Sequence, residues 1–201
     1  MGRSKFSSNN QTQTIITIII VAIIVAATIF FIFRNPGETM SNTIIITTNK
    51  GVIEVELNKE ASPITVDNFL TYVDEEFFDG TIFHRIMDGF MIQGGGFTPD
   101  GKQKTAHAPI TLESQNGLKN DRGTIAMART SDPNSATAQF FINTVDNDFL
   151  NYAPGNDGYA AFGIVTKGMD IVDEIVKVKT QTSPMPDWPT EPIIIESIRL
   201  K

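Results

Sequence analysis

The chain has 201 residues, with 16 Lys and Arg against 23 Asp and Glu, two His and no Cys. Its 41% apolar and 19% charged content suits a folded core and excludes the disordered and collagen-like classes. Without Cys there is no disulfide scaffold, thiolate metal site or thiol nucleophile, and a net charge of −7 argues against general nucleic-acid binding, which needs a cationic surface.

Residues 1–14 form a short polar tail with Arg3 and Lys5. From Ile15 to Phe33 (IITIIIVAIIVAATIFFIF) run 19 residues without a charge. As a helix this spans roughly 28 Å, close to the ~30 Å hydrocarbon core of a bilayer. The run is apolar all round rather than striped, which favours a single transmembrane helix over a core helix. Arg3 and Lys5 would also serve the n-region of a cleaved signal peptide. The run exceeds the usual length of such a segment, however, and Ala26 and Ala27 lie inside it. A retained signal anchor is the favoured reading. Basic groups before the span predict a cytoplasmic tail and an extracytoplasmic domain. Residues 34–42 (RNPGETMSN) read as a linker. Taking residues 1–40 away removes Arg3, Lys5, Arg34 and Glu38, leaving 13 basic and 22 acidic groups, a net −9 for the remainder.

Within 43–201, Thr43–Thr48 and Val52–Leu57 are β-branched runs around an Asn49-Lys50-Gly51 turn, a hairpin signal. Ser62-Pro63 opens a helix, with Ser as N-cap, Pro at the first position and Asp67 placed to suit the dipole. Ile64, Val66, Phe69, Leu70 and Val73 carry the helical period, and Gly80 marks the exit. Thr81–Met87, Phe90–Gln93, Thr124–Ala128, Gln139–Asn143, Ala160–Thr166 and Ile193–Leu200 are strand candidates; Gly168–Val178 has helical spacing. Short strands with two interspersed helices predict a mainly β architecture, a closed or nearly closed antiparallel barrel capped by helices.

Familiar catalytic constellations are missing. His84 and His107 stand in no metal-binding spacing, Gly94-Gly95-Gly96 lacks the rest of a phosphate loop, and there is no nucleophile elbow. The distinctive feature is a basic Arg85 inside an apolar strand, with Gln93 in the next. A short hairpin can place both heads on one face; an arginine snorkelling at a strand edge is the plain alternative.

The stretch Phe83–Phe97 (FHRIMDGFMIQGGGF) resembles the signature of cyclophilin-type peptidyl-prolyl cis–trans isomerases, as does Gly123–Asn143 (GTIAMARTSDPNSATAQFFIN). Asp148-Phe149-Leu150 and Phe162-Gly163 follow in the family's order, and the wording is similar to the bacterial and archaeal branch. The resemblance implies an eight-stranded antiparallel closed barrel capped by two α-helices. It implies that Arg85 is catalytic, with Gln93 beside it as the neighbour that orients its planar fork, and that Phe90, Met91, Phe141 and Leu150 take a substrate proline ring. Ala128 and Arg129 would pair with the substrate main chain, and Gln139 would be a further polar groove residue. Phe149 stands where many members have Trp, and Tyr159 where they have His. Loss of the indole N–H predicts weak cyclosporin binding.

The expected activity is acceleration of X–Pro rotation in proline-containing polypeptides, assisting folding of exported or membrane-proximal proteins, by a monomeric domain without metal or cofactor. A non-catalytic Pro-peptide module of the same fold and a barrel carrying an apolar ligand are the alternatives. Alternation along the strand sends His84 to the face opposite Arg85, as a hydrogen-bonded structural histidine.

Overall fold

The β-branched runs that open the domain pair as an antiparallel hairpin, β1 (Thr43–Thr48) with β2 (Gly51–Leu57). Asn49 and Lys50 turn the chain, and Gly51 follows at φ 145°, a conformation that glycine adopts freely. In β2, Ile53, Val55 and Leu57 are buried between more exposed neighbours, the period of a half-buried strand. The computed structural model describes residues 42–201 together with Ile18. The tail, anchor and linker expected from the sequence lie outside these, apart from Ile18 and Asn42. Among the described residues no helix is long and apolar enough to cross a membrane. The described residues 42–201 fall in one compact unit.

The chain continues through α1 (Pro63–Asp74), β3 (Thr81–Met87), β4 (Met91–Gly94), β5 (Thr124–Met127) and β6 (Phe140–Asn143). A 3-10 turn (Asp148–Leu150), β7 (Ala161–Lys167), α2 (Met169–Ile175), β8 (Thr180–Gln181), β9 (Trp188–Pro189) and β10 (Ile194–Leu200) complete it. Eight strands close into a barrel in the order β1-β10-β3-β4-β6-β5-β7-β2, with every pairing antiparallel. The separate β8–β9 ribbon had no counterpart in the sequence reading, since two-residue strands are too short to show alternation.

The barrel is filled rather than hollow. Ile44, Ile53, Ile92, Ile125, Phe140, Ile142 and Phe162 point inward, and Phe69 of α1 closes the packing. Its ring stacks on Phe78 at 4.9 Å and meets Phe140 edge-on at 5.5 Å. A ligand carried inside the barrel would have to displace this core, so the apolar-carrier reading loses its site.

The start of α1 departs from expectation in two respects. Pro63 occupies the first turn, but the Ser62 hydroxyl makes no cap and donates instead to the Ala161 carbonyl at 3.0 Å. Asp67 lies beyond the first turn and pairs with Lys59 at 2.6 Å. The helix N-terminus is capped from a distance by Glu113, whose carboxylate accepts from the Ile64 and Thr65 amides at 3.1 and 2.7 Å and from the Thr65 hydroxyl at 2.7 Å. A carboxylate there satisfies two orphan donors and faces the positive end of the dipole. Glu113→Ala is therefore expected to cost about 1–3 kcal/mol of stability. Urea unfolding reads this, and a midpoint equal to that of the parent would remove Glu113 from the capping role.

Candidate active site

Strands β3, β4, β6 and β5 lie side by side, and period-2 alternation sorts their side chains. Ile92, Phe140, Ile142, Ile125 and Met127 face the core, whereas Met91, Phe141 and Ala126 form a second apolar cluster on the outer face. Cross-strand register aligns Arg85 with Gln93, Gln93 with Phe141, and Phe141 with Ala126. Four residues thus make one row across the outer face, at the ~4.8 Å strand spacing.

Strict alternation would turn Arg85 toward the same side as Phe83, into the barrel. A bulge between Phe83 and Arg85 prevents this: Phe83 pairs with Gly94 and Arg85 with the adjacent Gln93. The extra residue, His84, lets Phe83 and Ile86 both join the core and sends Arg85 outward. His84 itself is not opposite Arg85 across a regular strand. It is buried outside the barrel core, 4% exposed, with its ring 4.7 Å from Phe97 and 6.2 Å from Trp188. The expectation of a hydrogen-bonded histidine fails at one atom, because Nδ1 meets no partner among the described residues. Burial foremost, reinforced by the Arg85 charge, pushes its pKa down to about 4 against hydrogen bonding with the Ile82 backbone and Gln139.

Over the outer face lies an open groove of about 400 Å³, solvent mouth included. Phe90, Met91, Phe141 and Leu150 make its apolar part; Arg85, Gln93 and Arg129 its polar edges; Ala128 and Tyr159 complete it. Nine of the residues singled out from the sequence thus meet in one place. Two do not line it. Phe149 is 65% exposed at the rim, its ring 5.5 Å from that of Phe90. Gln139 stands behind Gln93, accepting from its Nε2 at 3.0 Å.

The expectation that Gln93 orients Arg85 needs correction, since the Gln93 amide is turned to Gln139. The charged partner of Arg85 is Asp187, with Oδ2 3.6 Å from Nε. Asp187 is held in place by its backbone: φ is 63°, and its carbonyl accepts from the Ile86 amide at 2.9 Å. Aspartate tolerates this left-handed conformation better than most residues, and the loop before β9 thereby carries a carboxylate to the groove edge. No spacing rule in the sequence signals a contact between segments so far apart.

The other wall is the segment from Thr144 to Tyr159. Buried asparagines support it: Asn147 Nδ2 donates to the Phe90 carbonyl at 3.0 Å and to Asn143 Oδ1 at 2.7 Å. Asn120 Nδ2 donates to the carbonyls of Leu150 at 3.1 Å and Tyr159 at 3.2 Å. The bonds from Asn147 to Asn143 and from Asn120 to Leu150 are buried and the other two part-buried, so the apolar residues above rest on a stiff base. Gly158 permits the tight return of this segment: its φ is 63°, and a Cβ would lie 2.6 Å from the Tyr152 nitrogen. Among the described residues no cluster of His, Asp and Glu is arranged to hold a metal ion.

Fold and groove define a class first: a filled antiparallel barrel that carries on its outer surface an open groove with an apolar floor and guanidinium-bearing edges. The family model for cyclophilin type peptidyl-prolyl cis–trans isomerases matches residues 43–200. A Streptomyces antibioticus peptidyl-prolyl cis–trans isomerase is 55% identical over 163 residues, 79% of this chain and 98% of that one. Isomerase B of Escherichia coli K12 is 55% identical over 155 residues, 75% of this chain and 94% of that one. A Cryptosporidium parvum cyclophilin crystallised in the presence of an Ala-Pro dipeptide is 29% identical; the match has a TM-score of 0.66 and covers 79% of this chain and 98% of that one. The chain belongs to the cyclophilin-type peptidyl-prolyl cis–trans isomerases, and it is an enzyme of that class.

Proposed function

We propose that the groove over β3–β6 is where the isomerisation takes place, with Arg85 as the catalytic residue. The observation that carries this is the outward turn of Arg85 at the bulge, which sets a guanidinium in the same groove as the apolar side chains of Phe90, Met91, Phe141 and Leu150. The X–Pro amide has a barrier of ~18–20 kcal/mol because rotation breaks conjugation between nitrogen and carbonyl. No covalent bond is made or broken, so no nucleophile is needed. Midway through the turn the imide nitrogen becomes pyramidal and regains a lone pair. A donor aimed at that lone pair binds the twisted state better than either planar one, which is the condition for acceleration. Phe90, Met91, Phe141 and Leu150 hold the ring while the preceding carbonyl swings; Ala128 and Arg129 offer main chain to the substrate. Asp187 and the Gln93–Gln139 pair restrain the polar edge. Protease-coupled isomerisation of a Pro peptide, run beside Arg85→Ala, tests the assignment.

We also propose that residues 15–33 hold the enzyme at a membrane with residues 43–201 outside the cytoplasm, where it assists folding of exported or membrane-proximal chains. Support comes from the uncharged run of 19 residues and from Arg3 and Lys5 ahead of it. A domain of net −9 gains nothing from an anionic leaflet, so only a tether would keep it there. Protease added to intact cells should digest the domain. Protection in cells, with digestion in inverted vesicles, would reverse the orientation, and recovery in the soluble fraction would remove the anchor.

A further inference from the structure

Arg129 is a second guanidinium in the groove, and among the described residues its charge has no acidic partner. Its Nε and Nη2 donate to the Gly158 carbonyl at 3.0 and 2.8 Å, its Nη1 donates to the Thr130 carbonyl at 2.8 Å, and its Cζ sits 4.5 Å over the Tyr159 ring. Carbonyl dipoles and an aromatic face thus fix the side chain from several directions. Among the described residues no carboxylate forms an ion pair with it, in contrast to Arg85 with Asp187, Arg122 with Asp173 and Arg199 with Asp79. Three of its N–H groups are engaged, so two of the five that a guanidinium carries remain available. The groove lining holds two arginines and no carboxylate, on a chain with a net charge of −7.

A fixed cation of this kind does nothing for rotation itself, because the lone pair it would have to reach is assigned to Arg85. Its geometry suits recognition. We infer that Arg129 makes the enzyme selective for proline segments carrying an acidic side chain, Asp or Glu, within two residues of the proline. The inference rests on the reading that the groove takes the substrate. A rigid guanidinium already stripped of part of its water loses little on pairing with a carboxylate. A lysine at the same substrate position meets the like charge of Arg129 in a cleft where protein walls reduce screening.

The test is kcat/KM of the full-length chain, with detergent present, on peptides bearing Glu, Gln or Lys in turn at the two positions on each side of the proline. At one of these positions Glu is expected to exceed Lys by about fivefold or more, ~1 kcal/mol. The ratio should shrink between about 0.1 M and about 1 M NaCl, where the screening length falls from ~10 to ~3 Å. Arg129→Gln should bring the ratio close to one, Arg129→Glu should invert it, and Arg129→Lys should keep part of it. A purely structural role for Arg129 would change turnover of all peptides alike and leave both ratio and salt dependence in place. A parent ratio near one at all positions, or a ratio that survives Arg129→Gln, overturns the inference. Turnover of a neutral Ala-Pro peptide by the parent reports separately on the groove assignment. Affinities for the Glu and Lys peptides, measured by titration, score the charge preference independently of turnover.

Discussion

Arg85→Ala is expected to lower kcat/KM for a prolyl peptide at least tenfold, that is ~1.4 kcal/mol or more of barrier. Removal of a preorganised donor aimed at developing charge commonly costs about 10²–10³-fold, so the tenfold figure is a floor. KM should move less than kcat, because the arginine's proposed partner exists only in the twisted state. Arg85→Lys is expected to recover little: an ammonium keeps the charge but loses the planar fork that one side can anchor while the other donates. Asp187→Asn should fall between, about threefold to tenfold below the parent, since it frees the guanidinium without removing it. Stopped-flow or protease-coupled kinetics on a neutral peptide separates these cases. An Arg85→Ala enzyme with parental kcat/KM would end the assignment of the lone-pair donor to this residue. A parental rate for Asp187→Asn would leave Arg85 in place and remove only its positioning partner.

The contrast between Arg85 and Asp187 shows which parts of this protein its sequence displays. The barrel was legible because its causes are local: Ile53, Val55 and Leu57 alternate with acids, Gly51 closes a hairpin, and Pro63 opens a helix. Most of the groove was legible through the wording of two blocks, Phe83–Phe97 and Gly123–Asn143, rather than through any spacing rule. What stayed hidden depends on contacts between distant segments or on one extra residue. Alternation cannot register the bulge at His84, so it misplaced that side chain. It also gave no reason for Arg85 to leave the barrel. Ser62 looked like a cap because its type and position are right, yet a carboxylate from Glu113 reaches the helix amides first. Gln93 looked like the orienting group because it sits across from Arg85. Its amide has an alternative partner in Gln139, and the charge comes from the loop before β9.

The stability of the domain is expected to fall by about 3 kcal/mol as pH drops from 7 to 4, with His84 as the cause. The sign follows from where the proton can bind. In the unfolded chain His84 titrates near 6.5, whereas in the fold, 4% exposed and beside Arg85, it does so at about 4. Between those values the unfolded state holds a proton that the folded state refuses, so stability declines as pH falls and is flat above about 7. The depressed carboxylates behave in the same direction but in a lower window. Asp79, held down by its hydrogen bonds with Arg199, and Asp173, held down by those with Arg122, lose their contributions only as they protonate, below the ordinary carboxylate pKa of about 4. Urea midpoints at pH 7 and pH 4.5 therefore isolate most of the histidine effect. His84→Leu should abolish the difference; its cost at pH 7 is limited to the hydrogen bonding with the Ile82 backbone and Gln139, since Nδ1 has no partner to lose and Phe97 and Trp188 already give the ring apolar company. Equal acid sensitivity in parent and His84→Leu would place the lability in another group and return His84 to an ordinary buried ring. A flat profile in the parent would show that the histidine takes up its proton in the fold as readily as in water. That outcome would contradict its burial beside the arginine, because desolvation and a second cation outweigh the hydrogen bonding that the Ile82 backbone and Gln139 offer an imidazolium there.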